Sequence, residues 1–197
     1  MKKLPAIPLA ERVRPNDLSE FFGQEHLLAK GKPIRIMIDN DTVTSFSLWG
    51  PPGTGKTTIA RIIAEKTRSA FFQINAVSSG VRDIREVLSI AKSNQSEDKR
   101  TILFIDEIHR FNKSQQDALL NSVESGLVTL IGATTENPSF EIIPALRSRM
   151  RVFKLNELNT SNLDKILSLA ISKDEFLSSL KIVIPDKDFL FYVSGGD

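Results

Sequence analysis

Short β-prone segments alternate with amphipathic segments between Ser45 and Leu155, and this alternation constrains the fold more than any other feature of the chain. The β-prone segments predict five strands, at Ser45–Trp49, Ala70–Ile74, Thr101–Ile105, Val128–Ala133 and Val152–Leu155. The intervening segments carry apolar residues at helical spacing and predict helices at Thr57–Thr67, Val81–Lys92, Ser114–Glu124 and Ile142–Arg147. Strands that alternate with helices form βαβ units. The sequence therefore predicts an α/β fold, in which a parallel sheet is the middle of three α/β/α layers.

The segments on either side of this region have different patterns. The first residues mix proline, glycine, arginine and polar residues, and they predict an irregular arm that leads to a helix around Leu27–Asp39. Beyond the last strand the pattern predicts only helices, at Leu158–Ile171 and Asp186–Val193. The sequence therefore predicts three units: an arm with a first helix (1–40), an α/β core (41–155) and a helical region (156–197).

Composition excludes some classes of protein and leaves others open. The chain has 26 basic and 24 acidic residues, a net charge of +2, so it neither requires nor excludes a nucleic-acid partner. The charged stretch 92–100 is interpreted as a solvated loop and not as a DNA-binding patch. The absence of cysteine excludes disulfides and thiolate metal sites. The longest apolar runs, such as Ile102–Ile105 and Phe189–Val193, are too short to cross a bilayer. We expect a soluble, cytoplasmic protein with no membrane partner.

A glycine-rich octapeptide follows the first predicted strand and precedes a predicted helix. Its residues are Gly50, Pro51, Pro52, Gly53, Thr54, Gly55, Lys56 and Thr57, which match the pattern G-x-x-x-x-G-K-[ST]. Glycines allow backbone N–H groups to surround phosphate oxygens, and the following helix N-terminus adds partial positive charge. Lys56 can reach the β- and γ-phosphates, and the Thr57 hydroxyl can ligate Mg²⁺. The motif predicts a nucleoside triphosphate and Mg²⁺ as ligands.

An acidic pair, Asp106-Glu107, follows the apolar strand Thr101–Ile105. Open parallel sheets bind ligands at the carboxyl ends of their strands, where the octapeptide is also expected. We predict that Asp106 belongs to the Mg²⁺ site and that Glu107 polarises an attacking water molecule. A glutamate after the aspartate favours hydrolysis over binding alone. His109 is interpreted as a surface or packing residue.

Several longer strings carry a family resemblance. They are Arg14-Pro15, the segment from Phe22 to Leu27, HRFNKSQQDALL at 109–120, GATTENPSF at 132–140 and Leu146–Arg149. With the octapeptide and the acidic pair, they make the chain resemble AAA+ ATPases of the clamp-loader group. Within that group it resembles the RarA/MgsA family of bacterial replication-associated recombination proteins, which are related to the eukaryotic Werner-helicase-interacting protein. The resemblance extends from about residue 7 to the last residue.

The resemblance implies roles for individual residues. Those matching the family's phosphate loop include Gly53, Gly55, Lys56, Thr57 and Thr58, and those matching the segment against adenine are Arg14, Pro15, Phe22 and Gly23. Asn75 resembles the polar residue that restrains the catalytic glutamate. Thr135, in preference to Thr134, resembles the sensor of the γ-phosphate. Arg149 resembles an arginine finger acting on a neighbouring subunit, although the residues alone favour a surface charge beside Arg147 and Arg151.

The resemblance also implies ligands, partners and alternatives. It implies an ATPase that uses ATP and Mg²⁺, forms homo-oligomers, and acts in the cytoplasm at the nucleoid. Its implied partners are single-stranded DNA ends, gaps or forks, single-strand-binding protein and recombination factors. A RuvB-like Holliday-junction motor, another clamp-loader subunit and a non-hydrolysing nucleotide-binding fragment remain alternatives.

The chain departs from the family pattern at two places. Asn121 stands where the family has proline, which has little consequence on a helix surface or turn. Family members continue beyond Gly196-Asp197 into Ala-Arg, where the arginine is a second sensor, so the resemblance implies that the helical lid is incomplete here.

Overall fold

A five-stranded parallel sheet forms the centre of the protein. The computed structural model describes residues 6–194. Its strands are β1 (Phe46–Trp49), β2 (Ala70–Asn75), β3 (Thr101–Asp106), β4 (Thr129–Thr134) and β5 (Arg151–Lys154). They lie in the order β2-β3-β4-β1-β5, and every neighbouring pair is parallel. This sheet, with helices on both faces, confirms the predicted α/β fold.

Helices connect the strands and continue beyond the sheet. Those of the described residues are α1 (Leu9–Arg12), α2 (Glu25–Leu28), α3 (Pro33–Asp39), α4 (Lys56–Lys66), α5 (Val81–Ser96), α6 (Lys113–Glu124), α7 (Pro138–Glu141), α8 (Pro144–Arg147), α9 (Thr160–Lys173) and α10 (Lys187–Ser194). Short 3₁₀ turns occur at Leu18–Glu20, Ile108–Arg110 and Leu177–Ser179. None of the helices within 6–194 is long and apolar enough to cross a membrane.

The central strand β3 divides its side chains between two cores. Ile102 and Phe104 pack in the core that includes α2, α3 and α4, whereas Leu103 and Ile105 pack in the core that includes α5 and α6. Successive side chains of a strand point to opposite faces, so a strand covered on both faces is apolar throughout. This explains why the run at 102–105 has no polar alternation.

The predicted single helix around Leu27–Asp39 is wrong. The structure has two helices there, α2 and α3, joined by a short turn. Gly31 in that turn has φ of 78°, which glycine adopts without steric cost. Pro33 then starts α3, at the first helical position, where its missing N–H costs nothing.

Two other predictions need correction. The stretch 92–100 is not all loop, because α5 continues to Ser96. Its last turn is fastened by Asn94 Nδ2, which donates to Thr101 Oγ1 at 3.0 Å, and not by an apolar residue that periodicity could reveal. The helix predicted at Ile142–Arg147 begins only at Pro144, and the earlier helix α7, capped by the Asn137 side chain, was not predicted. The other boundaries differ by at most two residues, which is ordinary variation at element ends.

The arm packs against the segment after β5. Gln24 is 3% exposed and exchanges two hydrogen bonds with the backbone of Asn156, donating to its oxygen at 2.7 Å and accepting from its N–H at 2.9 Å. Gly23, with φ of 82°, lies so close that an added Cβ would be 2.7 Å from Leu158 Cδ2. The arm is therefore held on this segment by the hydrogen bonds of the Gln24 side chain and by close packing of Gly23 against Leu158.

Two ion pairs join the arm to the C-terminal end of α9. Arg12 Nε lies 2.6 Å from Asp174 Oδ2, and Lys173 Nζ lies 2.6 Å from Glu20 Oε2. The hydrogen bond from Arg12 is the main reason that the pKa of Asp174 falls to about 2. Residues 1–5 of the arm and Gly195–Asp197, where the implied interruption of the lid lies, are outside the described residues.

We predict that Phe104→Ala lowers the free energy of unfolding by about 3–5 kcal/mol. Phe104 is fully buried, and its ring stacks on Phe71 with 6.1 Å between centroids. The matched control is Phe140→Ala, because Phe140 is 84% exposed and its loss should change stability by less than about 0.5 kcal/mol. Urea unfolding followed by circular dichroism measures both. Equal losses for the two variants would contradict the assigned core.

Candidate nucleotide-binding site

The strand order brings three separate sequence segments to one edge of the sheet. The octapeptide begins after β1, Asp106 ends β3, and Thr135 follows β4, which lies between β1 and β3. Because these strands are parallel, their carboxyl ends meet at the same edge. Segments that are tens of residues apart in sequence therefore meet at one edge of the sheet.

The phosphate loop has the backbone that its glycines predict. Gly53 and Gly55 have φ of 71° and 89°, in the region that favours glycine. A Cβ at Gly55 would also lie 2.6 Å from the Phe21 ring. Lys56 begins α4, and its Nζ donates to the carbonyl oxygens of Gly50 at 2.8 Å and Pro51 at 2.7 Å. The ammonium is thus held over the loop, at the N-terminus of a helix.

Gly50 has a different reason to be glycine. A Cβ there would lie 2.7 Å from the carbonyl oxygen of Leu155. Its backbone N–H donates to Thr134 O at 3.1 Å, so the chain leaving β1 stays close to both neighbouring strands. The first glycine of the motif is explained by close packing at the sheet edge.

A cavity of about 450 Å³ lies over the loop. The predicted residues that line it are Arg14, Pro15, Pro52, Gly53, Thr54, Gly55, Lys56, Thr57, Thr58, Asp106 and Glu107. An adjoining cavity of about 140 Å³ is lined by Phe21 and Phe22 together with Pro15 and the loop. The volume of the larger cavity is typical of a small-molecule site. The structure therefore brings together most of the predicted nucleotide contacts.

The sequence analysis missed the apolar wall of this cavity. Ile166, Leu169 and Ala170 line it from one face of α9, and Val13 lines it from the arm. The spacing 166, 169 and 170 is a helical periodicity visible in the sequence, but it does not show what the face covers. Phe21, adjacent to the predicted Phe22, also reaches the loop. Arg14 is oriented here by a 3.1 Å hydrogen bond from Nη1 to Thr58 Oγ1.

The two carboxylates of the acidic pair have different surroundings. Burial raises the pKa of Asp106, and the neighbouring Glu107 carboxylate raises it further, whereas the charge of Lys56 opposes both effects. Glu107 has φ of 52°, a left-handed conformation that is strained for a residue with a side chain. Its Oε2 lies 3.1 Å from His109 Nδ1 and 3.5 Å from Thr135 Oγ1.

His109 is a largely buried residue and not a surface one, and its packing includes polar contacts that the sequence did not predict. Its side chain is only 10% exposed, and Nδ1 also lies 3.0 Å from Thr134 Oγ1. In the sequence, the proximity of His109 to the acidic pair is the feature that could have indicated these contacts. The 3₁₀ turn that carries it is seated by Gly132, where a Cβ would lie 3.0 Å from Ile108 Cδ1.

The two adjacent threonines occupy different environments. Thr134 is fully buried and exchanges hydrogen bonds with the backbone of Glu136, whereas Thr135 is partly exposed and turns towards Glu107. Alternation at the end of a strand produces this division. Thr135 is thus the threonine placed beside the acidic pair.

Asn75 and Arg149 do not line the cavity. Asn75 is the β2 register partner of Asp106, but its Oδ1 accepts from Val77 N–H at 2.9 Å. Arg149 Nη1 donates to Ala145 O at 2.6 Å, and Nη2 lies 3.1 Å from Glu124 Oε2. Both side chains are therefore held by their own neighbourhoods in this conformation.

The residues present fit a nucleoside triphosphate with Mg²⁺. Glycine backbone, a lysine and a helix N-terminus suit phosphate, and the hydroxyl of Thr57 and the carboxyl of Asp106 line the same cavity. Within 6–194 no cluster of three or more histidine, aspartate or glutamate side chains is placed to hold a metal ion.

Comparison with known proteins defines the class. Residues 46–158 match the family described as "ATPase family associated with various cellular activities (AAA)". The chain is 50% identical over 181 residues to replication-associated recombination protein A of Escherichia coli K12, which covers 91% of this chain and 40% of that protein. It is 45% identical to ATPase WRNIP1 of Dictyostelium discoideum, over 94% of this chain and 21% of that protein.

A solved structure shows the same fold. The Thermotoga maritima RuvB Holliday junction branch migration motor superposes with a TM-score of 0.66 and 32% identity, over 82% of this chain and 54% of that one. The chain therefore belongs to the AAA family of ATPases, and its sequence places it within that family in the replication-associated recombination protein A group. It spans about two fifths of the length of the bacterial relative cited above.

We predict that Lys56→Ala weakens binding of MgATP by at least about 100-fold, since a buried cation that meets phosphate contributes several charge-assisted hydrogen bonds. The matched control is Lys66→Ala, at the exposed end of the same helix, where affinity should stay within about twofold. Isothermal titration calorimetry with a slowly hydrolysed ATP analogue measures both. Unchanged affinity for the Lys56 variant would reject the phosphate loop as the binding site.

Proposed function

We propose that this chain is the ATP-binding and ATP-hydrolysing core of a replication-associated recombination protein, which acts in maintenance of replication forks, recombination and repair. The observation that carries the proposal is the convergence of Lys56, Asp106 and Glu107 on one cavity at the carboxyl edge of the sheet. Phosphoryl transfer depends mainly on positioning and on stabilisation of charge, and these groups supply both.

The proposed roles follow from chemistry and position. The backbone of Gly53 and Gly55 and the ammonium of Lys56 bind the β- and γ-phosphates. Thr57 and Asp106 hold Mg²⁺, which neutralises negative charge on the phosphates when bound. Glu107 accepts a proton from the water that attacks the γ-phosphate. Its partly exposed position gives water access, and Lys56 is too engaged with carbonyl oxygens to act as a base.

The neighbours of this carboxylate have proposed regulatory roles. Thr135, 3.5 Å from Glu107, senses the γ-phosphate or orients the water. Asn75 restrains Glu107 in another conformation of the protein. In the conformation described here, its amide oxygen accepts a hydrogen bond from the N–H of Val77 instead. The adenine lies between Arg14-Pro15, Phe22-Gly23 and the apolar face of α9, because cavities at this place are lined by aromatic and aliphatic side chains.

Arg149 is proposed to act on a neighbouring subunit of a homo-oligomer. It does not line its own cavity, and its guanidinium is held at the surface by Glu124 and Ala145. A positive charge brought from outside would stabilise charge that develops on the γ-phosphate. Hydrolysis would then depend on assembly.

The biological partners rest on similarity. We propose single-stranded DNA ends, gaps or forks as the nucleic-acid partner, single-strand-binding protein and recombination factors as protein partners, and a nucleoid-associated cytoplasmic location. The RuvB-like alternative is less well supported, because identity is 32% to the RuvB structure and 50% to the recombination protein. The non-hydrolysing alternative is separated by the experiment below.

We predict that Glu107→Gln leaves MgATP affinity within about threefold and lowers turnover by roughly 100- to 10,000-fold, because the amide cannot accept the proton of water. Phosphate release is measured over a range of protein concentrations, with and without single-stranded DNA. The unsubstituted chain should hydrolyse ATP faster with DNA. Binding without turnover at every concentration would support the non-hydrolysing alternative, and full turnover by the variant would exclude Glu107 as the base.

We also predict that Arg149→Ala and Glu107→Gln, each inactive alone, regain turnover when mixed. In a mixed ring about a quarter of the interfaces combine an intact Glu107 with an intact Arg149 from the neighbour. Arg151→Ala is the control, since Arg151 is an exposed arginine two residues away and should stay active alone. Failure of the mixture, where the unsubstituted chain is active, would reject action between subunits.

A further inference from the structure

We propose that His109 is a positioning residue that holds the carboxylate of Glu107 in place and couples it to the end of β4. The proposal rests on the function proposed for Glu107 and extends it to a residue outside the phosphate loop, the acidic pair and the sensor threonine. It is carried by a chain of three side chains, Glu107, His109 and Thr134, linked at 3.1 Å and 3.0 Å through one ring nitrogen.

The donors and acceptors of Glu107, His109 and Thr134 determine which ring nitrogen of His109 carries the proton. A carboxylate can only accept, so the nitrogen that faces Glu107 must donate. The Thr134 hydroxyl donates to Glu136 O at 3.2 Å and accepts from Glu136 N–H at 2.9 Å. Its proton is therefore already used, and its remaining lone pair faces the ring. Both neighbours accept, so Nδ1 carries a proton that it shares between them.

The surroundings fix the ring as well as the proton. Thr134 is fully buried in β4, and its hydroxyl is fastened by two backbone groups of Glu136. Ile108, also fully buried, seats the turn that carries His109 in the space above Gly132. The same ring nitrogen, Nδ1, is therefore held against Thr134 of β4 and faces Glu107.

Glu107 needs such a support. Its left-handed backbone is strained, and strained conformations persist where the surroundings hold them. Its side chain is 30% exposed, so water competes for the carboxylate. Thr135 offers only a long contact of 3.5 Å. The shorter bond from His109 leaves Oε1 available for water, and it links the direction of the carboxylate to the strand that ends in both threonines.

The other histidine of the chain supplies an internal control. His26 Nε2 lies 2.9 Å from the carbonyl oxygen of Lys154, which can only accept, so this ring carries its proton on Nε2. The two histidines should therefore be opposite tautomers. In free imidazole side chains one tautomer dominates, so a difference between the two rings has to come from their surroundings.

The first test is spectroscopic and does not depend on turnover. Side-chain ¹⁵N–¹H correlation spectra are recorded on the unsubstituted chain at about pH 8, with His26→Gln used to assign the two rings. We expect His109 protonated on Nδ1 and His26 protonated on Nε2. We also expect Glu107→Ala to shift the Nδ1 resonance of His109 and to leave His26 unchanged. An Nε2-protonated His109, or a His109 signal that does not respond to Glu107→Ala, would overturn the proposal.

The second test separates positioning from structure. His109→Leu removes the donor and should lower kcat on the order of 10- to 100-fold, with MgATP affinity within about twofold. His109→Asn keeps an N–H near the place of Nδ1 and should recover most of the loss. In the Glu107→Gln background, His109→Leu should have no further effect, because residues that act as a unit are not additive.

The outcomes distinguish this inference from the function on which it rests. If Glu107→Gln stops turnover but His109→Leu does not change kcat, the proposed function stands and the role of His109 is rejected. If His109→Leu raises KM alone, or if His109→Asn fails to recover activity in a folded protein, the residue is structural and the inference is also rejected. If Glu107→Gln retains turnover, the proposed role of Glu107 as the base fails, the positioning role of His109 fails with it, and the spectra decide only whether the hydrogen bond exists.

Discussion

The parallel register of β1, β4 and β3 is the constraint on which the site depends. Because β4 pairs with both other strands, the loop after β1 and the acidic pair after β3 are held on either side of the two threonines that end β4 and follow it. The pairing itself is stabilised by two apolar cores, one on each face of the sheet. The cost of gathering charged groups at one edge is visible in the raised pKa of Asp106 and in the strained backbone of Glu107.

A second layer of structure closes the cleft over that edge. The arm is joined to the segment after β5 by the Gln24–Asn156 hydrogen bonds and to the end of α9 by two ion pairs. The arm and α9 together supply the apolar wall of the cavity. Gly23 and Gly55 are both positions where a side chain would collide with a neighbour, Leu158 in one case and Phe21 in the other. The arm, the phosphate loop and the segment after β5 are therefore packed as one unit around the proposed nucleotide.

Sequence patterns predicted most of the secondary structure, and tertiary contacts set the features that those patterns missed. Short β-prone runs and helical spacing were enough to predict the strands and most helices, because burial on the sheet faces selects apolar residues. These patterns failed where the backbone conformation of one or two residues sets the limits of a helix. Gly31 and Pro33 divide one predicted helix into two in this way. The patterns also failed at the end of α5, where a polar contact between Asn94 and Thr101 takes the place of an apolar one.

The sequence by itself determined the class of the protein and predicted which residues would meet phosphate and Mg²⁺, because that chemistry requires particular residue types at short, fixed spacing. Only the tertiary structure decided which of Thr134 and Thr135 turns to the acidic pair, why Gly50 has no side chain, and that His109 lies between Glu107 and β4. These features depend on contacts between strands that are distant along the chain. A contact of that kind leaves no periodicity and no local motif, so it becomes visible only when the strands are paired.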